Sequence, residues 1–113
     1  MQVNSSKKAE LPVQKWFKMN GVARGRYFEL KAKRELEKFG WLVERAPMTR
    51  FRHDFFGLWD LIAVKNNRVV FIQVACRRKP VAWFKDAIIF PAFNKEFWLA
   101  RNRKPFKKEM IVE

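Results

Sequence analysis

Apolar positions along this chain fall into two periods. From Gly21 to Phe39 they recur at helical spacing: Phe28, Ala32, Leu36 and Phe39 form one stripe, set among Glu, Lys, Arg, Leu and Ala. Gly40 follows as a helix-terminating glycine. Trp41 to Ala46 then predicts a strand that Pro47 ends. Leu58 to Val64 and Arg68 to Cys76 are two runs of Val, Ile, Leu and Phe separated by Lys65-Asn66-Asn67. Asn tolerates the left-handed backbone of a short turn, so the pair predicts a hairpin whose strands are covered on both faces. Val81 to Phe90 reads as a second helix with Trp83, Ala87 and Phe90 inward, stopped by Pro91. The Ile88-Ile89-Phe90 run fits a strand as well. Lys95 to Arg101 alternates as a strand, with Phe97 and Leu99 on one face and Trp98 on the other. Phe106 to Val112 adds a short edge strand after Pro105.

The order helix, strand, hairpin, helix, strand predicts an α/β fold: a central mixed β-sheet flanked by helices. Residues 1–20 show no sustained period and read as an N-terminal arm; 21–113 reads as a single domain. Trp16, Phe17 and Met19 in the arm are apolar enough to pack on the domain or on a partner subunit. No apolar run reaches the length of a membrane span, and the N-terminus lacks the apolar stretch of a signal peptide, so a soluble intracellular protein is expected. A lone Cys76 agrees, and with one His it is too little for a zinc site.

Charge changes the picture most. Twenty-five Lys and Arg against eleven acids give a net charge of +14. Such an excess gathers polyanions and points to nucleic acid before any other partner. Arg24, Arg26, Arg50, Arg52, His53, Arg77, Arg78 and Lys79 are the cations expected on the phosphate backbone. Met48 to Gly57 is a basic, aromatic loop suited either to holding phosphate or stacking a base, or simply to packing as a surface loop.

The candidate chemistry sits in the apolar hairpin. Asp60 and Gln73 are polar residues on strands that predict burial, and such groups need partners. Gln73 and Ala75 share a strand face, and Asp60 can sit beside them on the neighbouring strand. Glu29 stands next to the stripe of the first helix. Two carboxylates and an amide oxygen make a hard-oxygen set suited to Mg²⁺, with Mn²⁺ as a substitute. Singly, Glu29 also reads as a salt-bridged helix residue and Gln73 as a hydrogen-bonded core amide.

The run GRYFE (Gly25 to Glu29), then KFGWLVERAP, WDLIAV and VVFIQVA, resembles the PD-(D/E)XK nuclease superfamily, and within it archaeal-type and phage Holliday junction resolvases. The likeness covers about half of the chain, from Arg24 to Arg78. It implies a restriction-endonuclease-like core with Glu29, Asp60 and Gln73 holding the metal. It further implies a homodimeric, metal-dependent endonuclease of DNA recombination and repair, acting on branched DNA such as four-way junctions. The family lysine, two residues after the Glu or Gln, falls on Ala75. Three explanations compete: an introduced inactivating change, which the otherwise intact motif favours; a degenerate nuclease that only binds DNA; or another cation, Arg77 or Lys33, in its place. A non-catalytic DNA-binding module on the same fold, or a nuclease for another DNA substrate, is the alternative reading.

Overall fold

A computed structural model describes residues 21–47 and 54–112. Helix α1 (Gly21–Lys38) is followed by β1 (Leu42–Arg45), β2 (Leu61–Lys65) and β3 (Arg68–Ala75), then α2 (Val81–Ile89), β4 (Asn94–Leu99) and β5 (Lys107–Met110). The strands form one sheet in chain order. β1, β2 and β3 pair antiparallel, β3 and β4 parallel, β4 and β5 antiparallel. The one parallel step needs a crossover, and α2 supplies it. The expected α/β fold with a mixed sheet and two helices is therefore the one found. The arm 1–20 lies outside the described residues, as do Arg50, Arg52 and His53. Among the described residues no helix is long and apolar enough to cross a membrane.

The sheet separates two cores. On one face α1 lays Phe28, Ala32 and Leu36 against Val43, Leu61, Ile72, Val74 and Trp98. On the other, Ala87, Trp83 and Phe84 of α2 pack with Trp59, Phe71, Phe97 and Leu99. The alternation expected in β4 holds: Phe97 and Leu99 join the second core, Trp98 the first.

Local chemistry explains most element ends. Asn66 (φ 51) and Asn67 (φ 64) form the two-residue left-handed turn of the hairpin, and Lys65 pairs directly with Arg68. α1 ends with Trp41 N–H donating to the Leu36 carbonyl and Gly40 N–H to that of Glu37, with Gly40 at φ 91. This closure puts Phe39 outside the helix, so the last residue of the sequence stripe is 66% exposed rather than buried.

The start of β2 also differs from expectation. The strand begins at Leu61, not Leu58. Phe56 (φ 57) and Gly57 (φ 73) turn the chain back so that Phe55 and Trp59 form a bridge. Trp59 and Leu61 then enter opposite cores, which a regular strand forbids for residues two apart. The chain bends between them, at Asp60.

Candidate functional site

Asp60 sits at this bend and is only 6% exposed. Its backbone N–H donates to the Ile72 carbonyl, and its own carbonyl accepts from Ala46 N–H. The β2–β3 register pairs Leu61 with Ile72; one further step sets Asp60 opposite Gln73, which is equally buried. The Asp60 carboxylate accepts a hydrogen bond from Val74 N–H at 3.0 Å. Gln73 Nε2 donates to the Val74 carbonyl at 3.2 Å, so its amide oxygen is the atom left to act as a ligand.

Burial pushes the Asp60 carboxyl up to about 7, and the charge of Glu29 adds to the rise. The Val74 N–H and the charge of Lys79 oppose it, while Asp54 raises it further. Glu29 and Asp60 are thus within electrostatic reach although α1 and the hairpin are separate elements. Glu29 is held by Arg45, whose Nε lies 4.0 Å from Glu29 Oε1.

Arg45 was not singled out by the sequence. It lies two residues after the buried Val43 on β1, which aims it at the face that α1 covers. Its Nη1 is buried with no hydrogen-bond partner among the described residues. A buried guanidinium donor beside Glu29 is equipped to take an acceptor oxygen. The alternation Val43–Arg45 was the available signal.

Gln73 and Ala75 lie on the face opposite Val74, and Ala75 packs with the α2 core. Glu29 lies on α1, in the layer on the other side of the sheet, and its charge reaches Asp60 at the bend. Ala75 lines a cleft of about 470 Å³ with Gln73, Arg24, Arg77, Arg78 and Lys79. The N-terminal turn of α1 closes its far wall through Gly21 and Gly25. Four of the expected phosphate contacts thus share one cleft with two of the expected site residues; Arg26 does not line it.

Not all of these cations are equally available. Arg78 donates to both carboxylate oxygens of Glu109, at 2.8 and 3.4 Å, and stacks 4.4 Å from the Phe84 ring centroid. That pairing holds Glu109 below the usual carboxylate range. Arg24 hydrogen-bonds Cys76, yet burial still pushes the thiol up, which disfavours the thiolate. Lys33, the proposed stand-in on α1, is paired with Glu37 at 2.7 Å.

Among the described residues no three His, Cys, Asp or Glu side chains cluster as metal ligands. The residues expected from the sequence to hold a metal offer two carboxylates and one amide oxygen, hard donors of the type Mg²⁺ takes and zinc does not favour.

The raised Asp60 pKa has a sign. Between an unfolded value of 3.8 and a folded value of about 7, the native state holds a proton that the unfolded chain has lost. Asp60 therefore stabilises the fold least at high pH: stability is full below 3.8 and falls as pH rises to 7, by up to about 4 kcal/mol. Asp60→Asn should flatten this slope in urea titrations run in chelator between pH 4 and 8. Added Mg²⁺ favours the ionised carboxylate, so it should raise the melting temperature of the unsubstituted chain more at pH 8 than at pH 5. A pH-independent Mg²⁺ effect would remove Asp60 from the ligand set.

Comparison of the chain with protein-family models, with curated proteins and with solved structures finds no match.

Proposed function

We propose that this chain has a nuclease-type core and binds branched DNA, with Glu29, Asp60 and Gln73 as the ligands of a catalytic Mg²⁺. The observation that carries this is Asp60: a buried carboxylate opposite a buried amide, pressed by a second carboxylate, beside a cationic cleft on a chain of net charge +14. Magnesium bound there would polarise a phosphodiester and make water nucleophilic near neutral pH. Arg24, Arg77 and Lys79 would grip the phosphate backbone, and Arg45 would donate to an oxygen of the attacked phosphate. Arg45 is then the cation nearest in role to the absent lysine at position 75. An arginine stabilises charge but is a poor base, so cleavage by this chain is expected to be slow and binding intact. A four-way junction cut on two strands calls for two sites, hence a homodimer.

A second reading, a DNA-binding module without catalysis, is favoured by one observation: Ala75 itself, at the position where the fold offers a lysine direct access to the cleft.

The deciding experiment is Mg²⁺-dependent cleavage of a labelled four-way junction beside a linear duplex, with this chain and with Ala75→Lys. Selective junction cleavage by the lysine form supports the nuclease; binding by both without cleavage by either supports the module. Junction binding itself should weaken steeply with salt. Arg77→Ala and Lys79→Ala should each reduce the salt slope by about one, with affinity lowered alike on all sequences. An unchanged slope would take the cleft out of the interface.

A further inference from the structure

The cations of the proposed interface reach phosphates, and phosphates are alike in a junction and in a continuous duplex. Preference for branched DNA needs a group that meets something a duplex hides, and the face of an unstacked base is such a feature. Among the described residues the exposed aromatic rings are Phe39, Phe56 and Phe93. Phe93, 101% exposed, stands bare beside a groove at the end of α2, level with Val69 and four residues short of Gln73 along β3. Phe39 follows the C-terminal end of α1. Phe56, 65% exposed, belongs to the turn that leads into Asp60.

Phe56 holds φ 57, a backbone region that suits glycine or asparagine; the chain places Gly57 there at φ 73 and Asn66 and Asn67 in the hairpin turn. A phenylalanine at this position carries strain, and its exposure forgoes the stabilisation of burying a large apolar ring. The turn nevertheless fixes it. Phe55 N–H donates to the Trp59 carbonyl at 2.6 Å, and the N–H groups of Leu58 and Trp59 donate to the Phe55 carbonyl at 3.0 Å each. Trp59 directly precedes Asp60, so the ring and the carboxylate are tied to one hydrogen-bonded turn. The ring is propped from behind by Phe71 and Phe90, with centroids 6.3 and 5.4 Å away. Their planes are inclined to it by 61° and 51°, so neither lies flat on it and its outer face stays open. Phe71 lies two residues before Gln73 on the same face of β3, about 7 Å along the strand, or about two base steps of a stacked DNA strand.

We infer that Phe56 stacks on a base left without a neighbour at a branch point, and that this contact selects branched over continuous DNA. The inference rests on the DNA reading above and adds the discriminating contact that the cations do not supply. Charge brings the polyanion to a chain of net charge +14. A ring already held in place loses little conformational freedom when a base stacks on it. A base inside a duplex is covered on both faces and has to unstack to reach Phe56, whereas a base at a branch has part of that step behind it.

Fluorescence anisotropy with a labelled four-way junction and a linear duplex of equal length, in chelator so that neither is cut, tests the contact. Phe56→Leu keeps apolar bulk and the same backbone strain but removes the flat π-face. It should weaken junction binding roughly 5- to 150-fold, the range of one base–aromatic stack, and duplex binding by less than about twofold. Phe56→Trp should keep the preference for the junction, and Phe39→Leu should change neither affinity. Abasic sites at the nucleotides flanking the exchange point should weaken the parent chain by a similar factor and erase the difference between it and Phe56→Leu. A junction preference retained in Phe56→Leu, or an equal loss on junction and duplex, overturns the inference and leaves the DNA reading standing. A parent chain that binds neither DNA overturns both.

Discussion

Ala75→Lys is expected to raise Mg²⁺-dependent junction cleavage by a factor of 10² to 10⁴, the range a positioned proton-transfer or charge-stabilising group contributes. The structure makes the substitution feasible. Ala75 is partly buried at the end of β3, and its neighbours Gln73 and Arg77 line the same cleft. A lysine stem can lie along the apolar edge formed by Ala75's present contacts and place its ammonium in the cleft. Position 75 stands on the same face as Gln73, two residues along β3 from the position opposite Asp60. The gain should appear in the rate of cleavage at saturating protein, with junction affinity changed little, because in the proposed function Arg24, Arg77 and Lys79 would supply the electrostatic grip. Asp60→Asn in the Ala75→Lys background should abolish the gain. A gain that survives Asp60→Asn would place the metal elsewhere; no gain at all, with binding preserved, would leave a binding module.

The second large effect concerns stability. Lys95→Met is expected to cost about 2–4 kcal/mol and lower the melting temperature by roughly 8–20 °C for a domain of this size. Methionine keeps the volume and the apolar stem, so packing is nearly conserved. What disappears is the ammonium that donates to three carbonyls at the end of α2; those of Ala87 and Phe90 also accept the N–H of Phe90 at 3.3 Å and of Ala92 at 2.8 Å, and all three lose a charged donor. Its positive charge also lies at the negative end of the helix dipole. A thermal melt of Lys95→Met beside Lys85→Met measures the contrast, since the exposed Lys85 should stay within about 0.5 kcal/mol. An equally small loss at Lys95 would mean that water satisfies the carbonyls and the ammonium contributes little.

Both effects turn on residues that local pattern treats poorly. Lys95 opens a run read only as a strand, and nothing around it announces that three carbonyls from a helix five to eight residues earlier converge on it. Arg45 is similar: its partner Glu29 comes from another element, and only the alternation with Val43 hints at the direction it faces. Asp60 was legible as a buried polar group because its neighbours Trp59 and Leu61 are large and apolar. That those two enter opposite cores was not legible. The bend follows from the Phe56–Gly57 turn, and a phenylalanine at positive φ is a conformation its own propensity argues against.

Where period and turn chemistry are local, the chain states its own structure. The 3.6-residue stripe of α1, the Gly40 stop, the Asn66–Asn67 turn and the two-sided alternation of β4 required no information from distant residues. The helical segment between β3 and β4 was legible too, and its length permits the parallel pairing that the structure shows. The basic balance was likewise a property of composition, and with it the expectation of a polyanionic partner. Tertiary structure alone decided the rest: Glu29 against Asp60, Arg45 against Glu29, Arg78 drawn away to Glu109, Lys95 folded under α2, and Phe93 left bare beside a groove. Each is a contact between side chains from different elements. Its energy depends on burial and on distances that exist only once both cores have formed, and no local pattern in the chain encodes them.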